Sequence, residues 1–394
     1  MEIKTNRLHF IDAIRAWAIL MMLQGHFVDG LLDPVFRDTG NSMYSLWLYF
    51  RGITAPVFFT VSGFIFTYLL IRVPQQGWEN PRIRKGIRRA LQLLFIGYLL
   101  RSNIFGLLQG KLYDAFFLVD VLHCIGVSIL VIIGVFLLTS RQKNWVMPAT
   151  LLGITLSLFI FEPVYSGWTY AWLPDAISNY FTRSNGSVFT IIPWVGYTAF
   201  GAFLSVLFKK YASLENLYPT AIGLSAIAGV SLLFFSSPFF VFIGELSGVS
   251  LFSNIAFNNY LFIRLGDVLL VFAVFMIFRD FLKQPTFLRI GQNTLSIYVI
   301  HFVILYGSLT GLGLYRFFDH AITPGMVIPG AVLFMLFCSF VALYYDTNES
   351  LIKNLITQYS QKANTGLSKG YFEVSKLLIV LQDKILRVLN TSKG

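Results

Sequence analysis

Long apolar stretches separated by short polar connections constrain the fold of this chain more than any other feature. Stretches of this kind are long enough to cross a bilayer as helices, and they lie at about 9–29, 46–72, 88–108, 117–139, 145–161, 188–208, 218–236, 259–278, 287–306 and 325–346. Only 12% of the residues are charged and the mean hydropathy is +0.68, which excludes a soluble globular domain. We therefore predict an all-α, polytopic integral membrane protein with about ten transmembrane helices.

The positive charge of the connections predicts the orientation in the membrane. Lysine and arginine close to helix ends favour the cytoplasmic side. Alternate connections are rich in these residues, and the first of them carries Arg82, Arg84, Lys85, Arg88 and Arg89. Both termini are then predicted to be cytoplasmic, in a bacterial inner membrane. The net charge of +11 reflects this topology rather than a nucleic-acid partner.

The last part of the chain differs from the rest. We assign residues 1–346 to a ten-helix transmembrane domain and residues 347–394 to a cytoplasmic tail. Apolar residues of the tail recur on one helical face, at Val374, Leu378, Leu381, Ile385 and Val388. This spacing is typical of an amphipathic helix that lies on the inner leaflet, or of a helix that pairs with a second copy or another partner.

Cysteines and potential metal ligands indicate little chemistry of their own. Cys124 and Cys338 lie in apolar stretches, so we expect free, buried thiols rather than a disulfide. Asp120 and His123 have a ligand-like spacing, but one such pair does not make a metal site. The sequence therefore predicts no metal.

The first apolar stretch carries the polar residues best suited to a function. Asp12, Arg15 and His26 lie on one predicted helix that is otherwise apolar. Lipid offers no partner for charge, so such groups face protein or a water-filled cavity. Arg15 and His26 are separated by about 16 Å along a helix, roughly half a bilayer core. One helix thus places polar side chains at two depths of the membrane. Alternatively, Asp12 and Arg15 have the spacing of an intrahelical ion pair.

Other polar residues in apolar stretches are predicted to share the depth of His26. With the orientation above, the outer halves of their helices contain Asp120, His123, Asp267 and His301. A single histidine in an apolar helix is commonly a packing residue. The convergence of several titratable groups at one depth is therefore the main argument from the residues for a site.

Two predicted outer connections have compositions suited to covering such a site. The first, Glu162 to Ser187, is rich in aromatic residues that include Trp168. These rings are typical of an interfacial aromatic belt, and they could also stack on a sugar. The second, Ser237 to Asn259, contains Gly, Ser and Asn and is interpreted as a loop that could form a second lid.

Several blocks of the sequence resemble transmembrane acyltransferases. IDAIRAWAILMMLQGH resembles the first helix of the acyltransferase 3 family, in which ten residues separate an arginine from a histidine, here Arg15 and His26. APVFFTVSGFIFTYLLIR resembles the second helix of that family. The blocks IGQNTLSIYVIH, VDVLHCIG and FTIIPWVGYTAFGAFL are similar to the related heparan-alpha-glucosaminide N-acetyltransferase type of membrane protein.

The resemblance implies transfer of an acyl group, usually acetyl, from cytoplasmic acyl-CoA to a glycan or lipid acceptor outside the cytoplasm. It implies that the donor, acetyl-CoA, is bound by four basic residues, Arg15, Arg84, Arg88 and Arg89. The heparan-type branch places its essential histidine in the first outer loop, where residues 29–45 contain none. The role then falls to His26, as a general base or as a carrier of the acyl group.

Supporting roles follow for the other polar residues. Asp120 and His123 join His26 as catalytic candidates, because an acid can orient an imidazole. Three residues are candidates for binding the acceptor, namely His301, Asp267 and Trp168.

Two other functional classes fit the composition. A transporter or flippase of an amphipathic substrate would also place Arg and His within the membrane. A non-catalytic membrane scaffold would assemble a homo-oligomer or a partner through the tail and would not need His26. Binding of coenzyme A distinguishes the enzyme from both alternatives.

Overall fold

The predicted all-α class is confirmed by a computed structural model, which describes residues 8–354 and residue 357. These residues form helices and two isolated β-bridges, with no strand among them. The helices are α1 (His9–Leu31), α2 (Ser42–Ile71), α3 (Pro81–Arg101), α4 (Ile104–Leu108), α5 (Val121–Thr139), α6 (Val146–Ile160), α7 (Glu162–Tyr165), α8 (Asp175–Ser178), α9 (Ile191–Lys210), α10 (Leu217–Ser247), α11 (Ser250–Phe257), α12 (Tyr260–Ile277), α13 (Pro285–Gln292), α14 (Thr294–Tyr306), α15 (Leu314–Phe318) and α16 (Pro324–Thr347). Three short 3₁₀ helices lie at Pro34–Phe36, Gly77–Glu79 and Asp114–Phe117.

Each of the ten predicted stretches coincides with helix, but the count of ten spans is not confirmed. Six helical segments are long and apolar enough to cross a membrane: Ser42–Ile71, Asp114–Thr139, Ile191–Lys210, Leu217–Ser247, Tyr260–Ile277 and Pro324–Thr347. The pair α13 and α14 would make a seventh, although it is bent by 72°. Polar residues lower the hydropathy of α1 and α3, and α6 has only 15 residues. The chain is an integral membrane protein with at least these candidate spans.

Local sequence explains where several of these helices begin. The side chain of Asn41 accepts hydrogen bonds from Met43 N and Tyr44 N at the start of α2. Asn80 does the same for Arg82 N, and Pro81 occupies the first position of α3, where a missing N–H costs nothing. These asparagines therefore fix the N-terminal ends of α2 and α3.

The prediction of a loop between Ser237 and Asn259 is wrong. Helix α10 continues to Ser247, turns at Gly248 with a φ of +67°, and is followed by α11. Serine is tolerated inside a helix because its hydroxyl can bond to the carbonyl one turn earlier. Ser247 Oγ does this with the carbonyl of Ile243 at 2.6 Å. The Ser and Gly content that suggested a loop is therefore accommodated by the helix itself.

A buried apolar cluster joins α1, α2 and α12. Its members are Phe10, Ile11, Ile14, Ala18, Ile53, Val57, Val61, Phe64, Val268, Phe272 and Met276. Lipid tails are as apolar as these side chains, so close packing rather than exclusion of water favours the association of the helices. The cluster fixes the part of α1 on the N-terminal side of His26.

Helices α2 and α9 cross with their backbones in contact. A Cβ atom at Gly63 of α2 would overlap the carbonyl oxygen of Thr198, and a Cβ atom at Gly201 of α9 would overlap the carbonyl oxygen of Thr60. Small residues permit such close approach between membrane helices. The crossing is therefore held by backbone atoms on both sides.

The predicted span at 287–306 is broken at Asn293. Asn293 lies between α13 and α14 with φ of −99° and ψ of 23°, and the two helices meet at 72°. Gly and Asn are weak helix formers, and Gly291 packs directly against the backbone of Asp12. The break thus follows from a close contact between α13 and α1.

The chain divides into two compact units, with the boundary between Ser339 and Phe340. In the first unit, α10 leaves most of its apolar side chains exposed, as expected for a surface that faces lipid. The predicted amphipathic face at 374–388 lies outside the described residues.

Candidate active site

A cavity of about 360 Å³ lies among α1, α2, α5, α9, α12 and α14. Its polar and aromatic lining residues are His26, Arg51, Thr54, Phe58, Arg183, Phe189, Trp194, Tyr260 and Tyr298. Cavities that combine a few polar groups with aromatic walls are typical of ligand sites. The outer orientation predicted for the C-terminal end of α1 would open this cavity on the extracytoplasmic side.

His26 and His301 form a direct pair at this cavity. The distance between His26 Nδ1 and His301 Nε2 is 3.1 Å. His301 is 0% exposed and packs edge-on against the ring of Tyr298, with the ring centroids 4.9 Å apart. His26 lines the cavity, whereas His301 lies behind it. The structure therefore brings together two of the five residues predicted to share one depth.

The hydrogen bond between the two imidazoles limits their tautomers. One of the two nitrogens must carry the hydrogen and the other must accept it. If Nε2 of His26 is to accept a proton, Nδ1 of His26 carries hydrogen and donates it to Nε2 of His301. His301 can thus hold the His26 ring in the orientation and tautomer of a general base.

Two arginines contribute positive charge to the cavity. Arg51 of α2 forms an ion pair with Asp29, which lies one turn beyond His26 on α1. Arg183 lies in the connection between α8 and α9, with its guanidinium carbon 5.9 Å from the centre of the Trp194 ring. Burial raises the pKa of Glu162, and the nearby Arg183 charge opposes this shift. No Asp or Glu is among the described residues that line the cavity.

Asp120 and His123 form a separate network that caps α5. Asp120 Oδ1 accepts from Leu122 N at 3.1 Å, and His123 Nδ1 lies 3.0 Å from the same oxygen. Arg101 Nε bonds to the other carboxylate oxygen at 3.3 Å. His123 is fully buried and packs against the ring of Tyr98, with the ring centroids 4.4 Å apart. The two catalytic candidates of α5 therefore do not line the cavity, although their neighbour Val121 does.

Asp267 belongs to a third network. Tyr49 Oη donates to Asp267 Oδ1 at 2.5 Å, and Arg264 Nη1 donates to Oδ2 at 2.9 Å. Arg264 also stacks on Tyr260, which lines the cavity. Asp267 itself is buried away from the lining, so the structure gives it a contact with α2 rather than with an occupant of the cavity.

The predicted donor-binding arginines lie apart from the cavity. Arg15 Nη2 donates to Thr294 Oγ1 at 3.1 Å, where α14 begins, and Arg15 Nη1 is 3.5 Å from Asp12 Oδ1. Arg15 thus has the intrahelical contact with Asp12 that its spacing predicts and also contacts another helix, whereas its role in binding the donor stays a prediction. On α3, the exposed face carries Arg84, Arg88 and Arg89, and Arg89 bonds to Gln92 at 3.2 Å.

Trp168 is in the aromatic outer connection and is 53% exposed. Its ring contacts Tyr170, with the centroids 5.9 Å apart, and it does not line the cavity. Two of the aromatic residues that do line it, Phe189 and Trp194, follow the same connection. The sugar-stacking role predicted for this segment therefore fits those two rings better.

Arg51 and Arg183 are the charged lining residues that sequence reasoning did not assign to the site. Arg51 was detectable in principle, because it is a charged residue within the predicted span 46–72. Arg183 follows no such rule, since an arginine in an outer connection is ordinary. Its place in the cavity depends on how the connection folds back over α9.

A larger groove of about 660 Å³ lies on another face of α1. Gln24, Trp47 and several residues of α16 line it, and Gln24 Oε1 accepts from Trp47 Nε1 at 2.6 Å. The described residues that line this groove include no His, Lys or Arg. Its one carboxylate, Asp38, is exposed and accepts a hydrogen bond from Gly40 N, so the smaller cavity with its histidine pair is the better candidate.

Other potential chemistry is limited in the described part of the chain. Cys124 and Cys338 are free and buried. Between residues 8 and 354 no group of three or more His, Cys, Asp or Glu side chains could hold a metal ion.

Comparison with known proteins identifies the family. The model of the heparan-alpha-glucosaminide N-acetyltransferase catalytic domain matches residues 7–240. No curated protein matches the chain. The matched part contains His26, Arg51 and Arg183, whereas Tyr298 and His301 lie beyond it. Because the match covers more than half of the chain, the protein belongs to the heparan-alpha-glucosaminide N-acetyltransferase catalytic family.

Proposed function

We propose that this protein transfers an acetyl group from acetyl-CoA on the cytoplasmic side to an amine or hydroxyl of a glycan or lipid on the other side of the membrane. Membership of the acetyltransferase family supports the reaction. The cavity at the end of α1 supports the place where it occurs.

The observation that carries the proposal is the position of His26. It lines the cavity, and its Nδ1 is held by His301 at 3.1 Å. Nε2 is then the nitrogen left for a substrate. An imidazole that is fixed through one nitrogen and presented through the other has the geometry of a general base.

The proton balance of the transfer can be written with this pair. The acceptor nitrogen or oxygen attacks the thioester carbonyl carbon while Nε2 of His26 takes its proton. His26 is then an imidazolium whose Nδ1–H still donates to neutral His301. When the carbon–sulfur bond breaks, the coenzyme A thiolate takes the proton from Nε2. The acetylated acceptor and the free thiol leave, and His26 is neutral again.

Arg15 and the arginines of α3 are proposed to bind the donor phosphates. Guanidinium groups bind phosphate through two parallel hydrogen bonds. Arg15 is about 16 Å from His26 along α1, a distance that a pantetheine arm spans. The thioester would reach the cavity from the cytoplasmic side while the nucleotide stays near Arg15.

Proteoliposomes with radiolabelled acetyl-CoA on one side test the proposal. We expect thioester turnover only when the donor faces the end of the protein that carries Arg15. Arg15→Ala should raise the KM for acetyl-CoA by about tenfold, because one charge-assisted contact is lost. Arg141→Ala, an exposed arginine between α5 and α6, is the matched control and should leave this KM unchanged.

The same preparation separates the alternatives. Label that stays on wild-type protein after denaturation would indicate an acyl-histidine instead of direct transfer. Absence of acetyl-CoA binding in wild type would contradict the enzyme. Uptake of an amphipathic substrate without a thioester would then favour the transporter.

A further inference from the structure

We propose that the acceptor carries an anionic group next to its nucleophile, and that Arg51 and Arg183 bind this group. The inference rests on the proposed function, since it concerns the occupant of the same cavity. The chemical class is an amino or hydroxyl compound with a phosphate, sulfate or carboxylate substituent.

The charge of the cavity lining is the first argument. Two guanidinium groups reach the cavity together with His26, and no carboxylate is among its described lining residues. Asp29 compensates the charge of Arg51, whereas Arg183 has no ion pair among the described residues, so the lining keeps a net positive charge. An anionic acceptor would give this charge a partner, and a neutral acceptor would not.

Arg183 is the more available of the two cations. It is exposed at the cavity and forms no ion pair in the described part of the chain. Its guanidinium lies over Trp194, which leaves the N–H edge open. The charge of Arg183 opposes the rise in the pKa of Glu162, but the two side chains lie beyond ion-pair distance. A planar fork held on an aromatic ring is well suited to bidentate binding of an oxyanion.

Arg51 is held in place and retains binding capacity. Asp29 pairs with its Nη2, and the Trp47 ring lies 5.9 Å from its guanidinium carbon. A guanidinium has five N–H donors, so one carboxylate contact leaves several for a ligand. Asp29 thus orients Arg51 beside His26. The anion would sit between Arg51 and Arg183, and the nucleophile would face His26 Nε2.

The aromatic wall agrees with a ring-shaped acceptor. Phe189 and Trp194 contact each other, with centroids 4.8 Å apart, and both line the cavity. A sugar can stack on such rings while its charged substituent meets the arginines. A lipid-linked sugar phosphate presents the same chemistry as a soluble sugar phosphate.

The test compares matched acceptors with and without charge on the full-length protein in detergent. The soluble pair is glucosamine 6-phosphate and glucosamine. In the lipid pair, glucosamine is joined to a decyl chain through a phosphodiester in the charged member and directly in the neutral member. Transfer from radiolabelled acetyl-CoA gives kcat/KM, and thermal-shift titration gives binding without turnover. We expect the charged member of at least one pair to be preferred by about 10- to 100-fold, and the preferred pair identifies the soluble or lipid source.

Variants assign the preference to the two arginines. Arg183→Gln, at an exposed position, should reduce it by about tenfold, and Arg51→Gln should do the same. Arg51→Lys keeps the charge and should retain part of the preference if the fold is intact. The control Arg141→Gln should leave it unchanged.

The outcomes separate this inference from the proposed function. Turnover of acetyl-CoA with equal use of charged and neutral acceptors would overturn the inference and leave the acetyltransferase standing. Tighter binding of the charged sugar that depends on Arg183, without any transfer, would support the anion site and contradict the enzyme. The anion site is overturned if neither transfer nor binding prefers the charged acceptor. It is also overturned if the preference is unchanged in both arginine variants.

Discussion

Two side-chain pairs at similar predicted depth, His26 with His301 and His123 with Asp120, have different surroundings. His26 and His301 connect α1 to α14, and His26 lines the cavity. His123 bonds to Asp120, three residues earlier, and its ring packs against Gly97 and Tyr98 of α3. The first pair joins distant parts of the chain and presents a nitrogen to the cavity. The second closes the start of a helix and lines neither the cavity nor the larger groove described above.

The difference separates His26, the proposed general base, from His123. Both rings are held through Nδ1, so restraint alone does not distinguish them. Access does, because a proton can be exchanged with a substrate only through a nitrogen that faces one. The following predictions test whether the two pairs are as distinct as their geometry indicates.

The largest effect is expected for His26→Gln. Loss of a general base lowers the rate by about 10² to 10⁴, and we expect this for kcat of acetyl transfer. Donor binding and the melting temperature in detergent should remain near wild type, because His26 is only partly buried. Unchanged kcat in a folded His26→Gln protein would contradict the site. His320→Gln, on a loop outside the cavity, is the histidine control.

A smaller loss of rate is expected for His301→Ala. The variant removes the acceptor for His26 Nδ1–H, and we expect kcat to fall by roughly 10- to 100-fold with little change in the KM for acetyl-CoA. His301→Gln retains an acceptor oxygen and should recover part of kcat. The pH dependence of kcat should also shift in His301→Ala, which a purely structural role would not cause. Equal kcat values for the Ala and Gln variants would argue against positioning.

Glycine substitutions beside the two pairs should differ in stability. A Cβ atom at Gly97 would lie 2.6 Å from Cε1 of His123, so Gly97→Ala should lower the free energy of unfolding by about 1–3 kcal/mol. A Cβ atom at Gly25 would meet Arg51 Cγ at 3.5 Å, an ordinary contact, and Gly25→Ala should be tolerated. Unfolding by SDS in mixed micelles measures both. A stable Gly97→Ala protein would mean that the His123 ring can move.

The smallest effect is expected for Asp120→Asn. Asn retains the oxygen that caps α5 and loses the charge that faces Arg101 and His123. We expect a loss of about 1 kcal/mol in stability and an unchanged kcat for the folded protein. A 100-fold loss of kcat would instead support the catalytic role predicted for Asp120 from the sequence, and the contrast between the pairs would fail.

The fold class, the family and the helix positions could be predicted from the sequence. Apolar length placed all ten stretches on helices, because a helix satisfies its backbone hydrogen bonds within one segment and apolar runs of this length exceed a membrane β-strand. It did not establish how many of them span the membrane, since α1 and α3 mix polar residues with apolar ones. The loop predicted at 237–259 failed because local composition does not reveal hydroxyl groups that bond within their own helix.

Depth could be estimated for the site residues, but rotation about the helix could not. Asp267 and His301 were placed at a similar level, yet only His301 faces His26. Which side a residue presents depends on packing against helices that are distant in sequence. The same limit applies to Arg183, whose connection reaches the cavity through contacts that no motif encodes.

The backbone contact between α2 and α9 has a consequence for how this protein can change. Arg51 and Trp194 lie on these two helices, so the width between them is set at Gly63 and Gly201 rather than by the cavity's own side chains. Residues that line the cavity can then be substituted without changing the distance between α2 and α9. Evolution, or a designer, can alter the accepted substrate by substitutions in the lining while both glycines keep the framework constant.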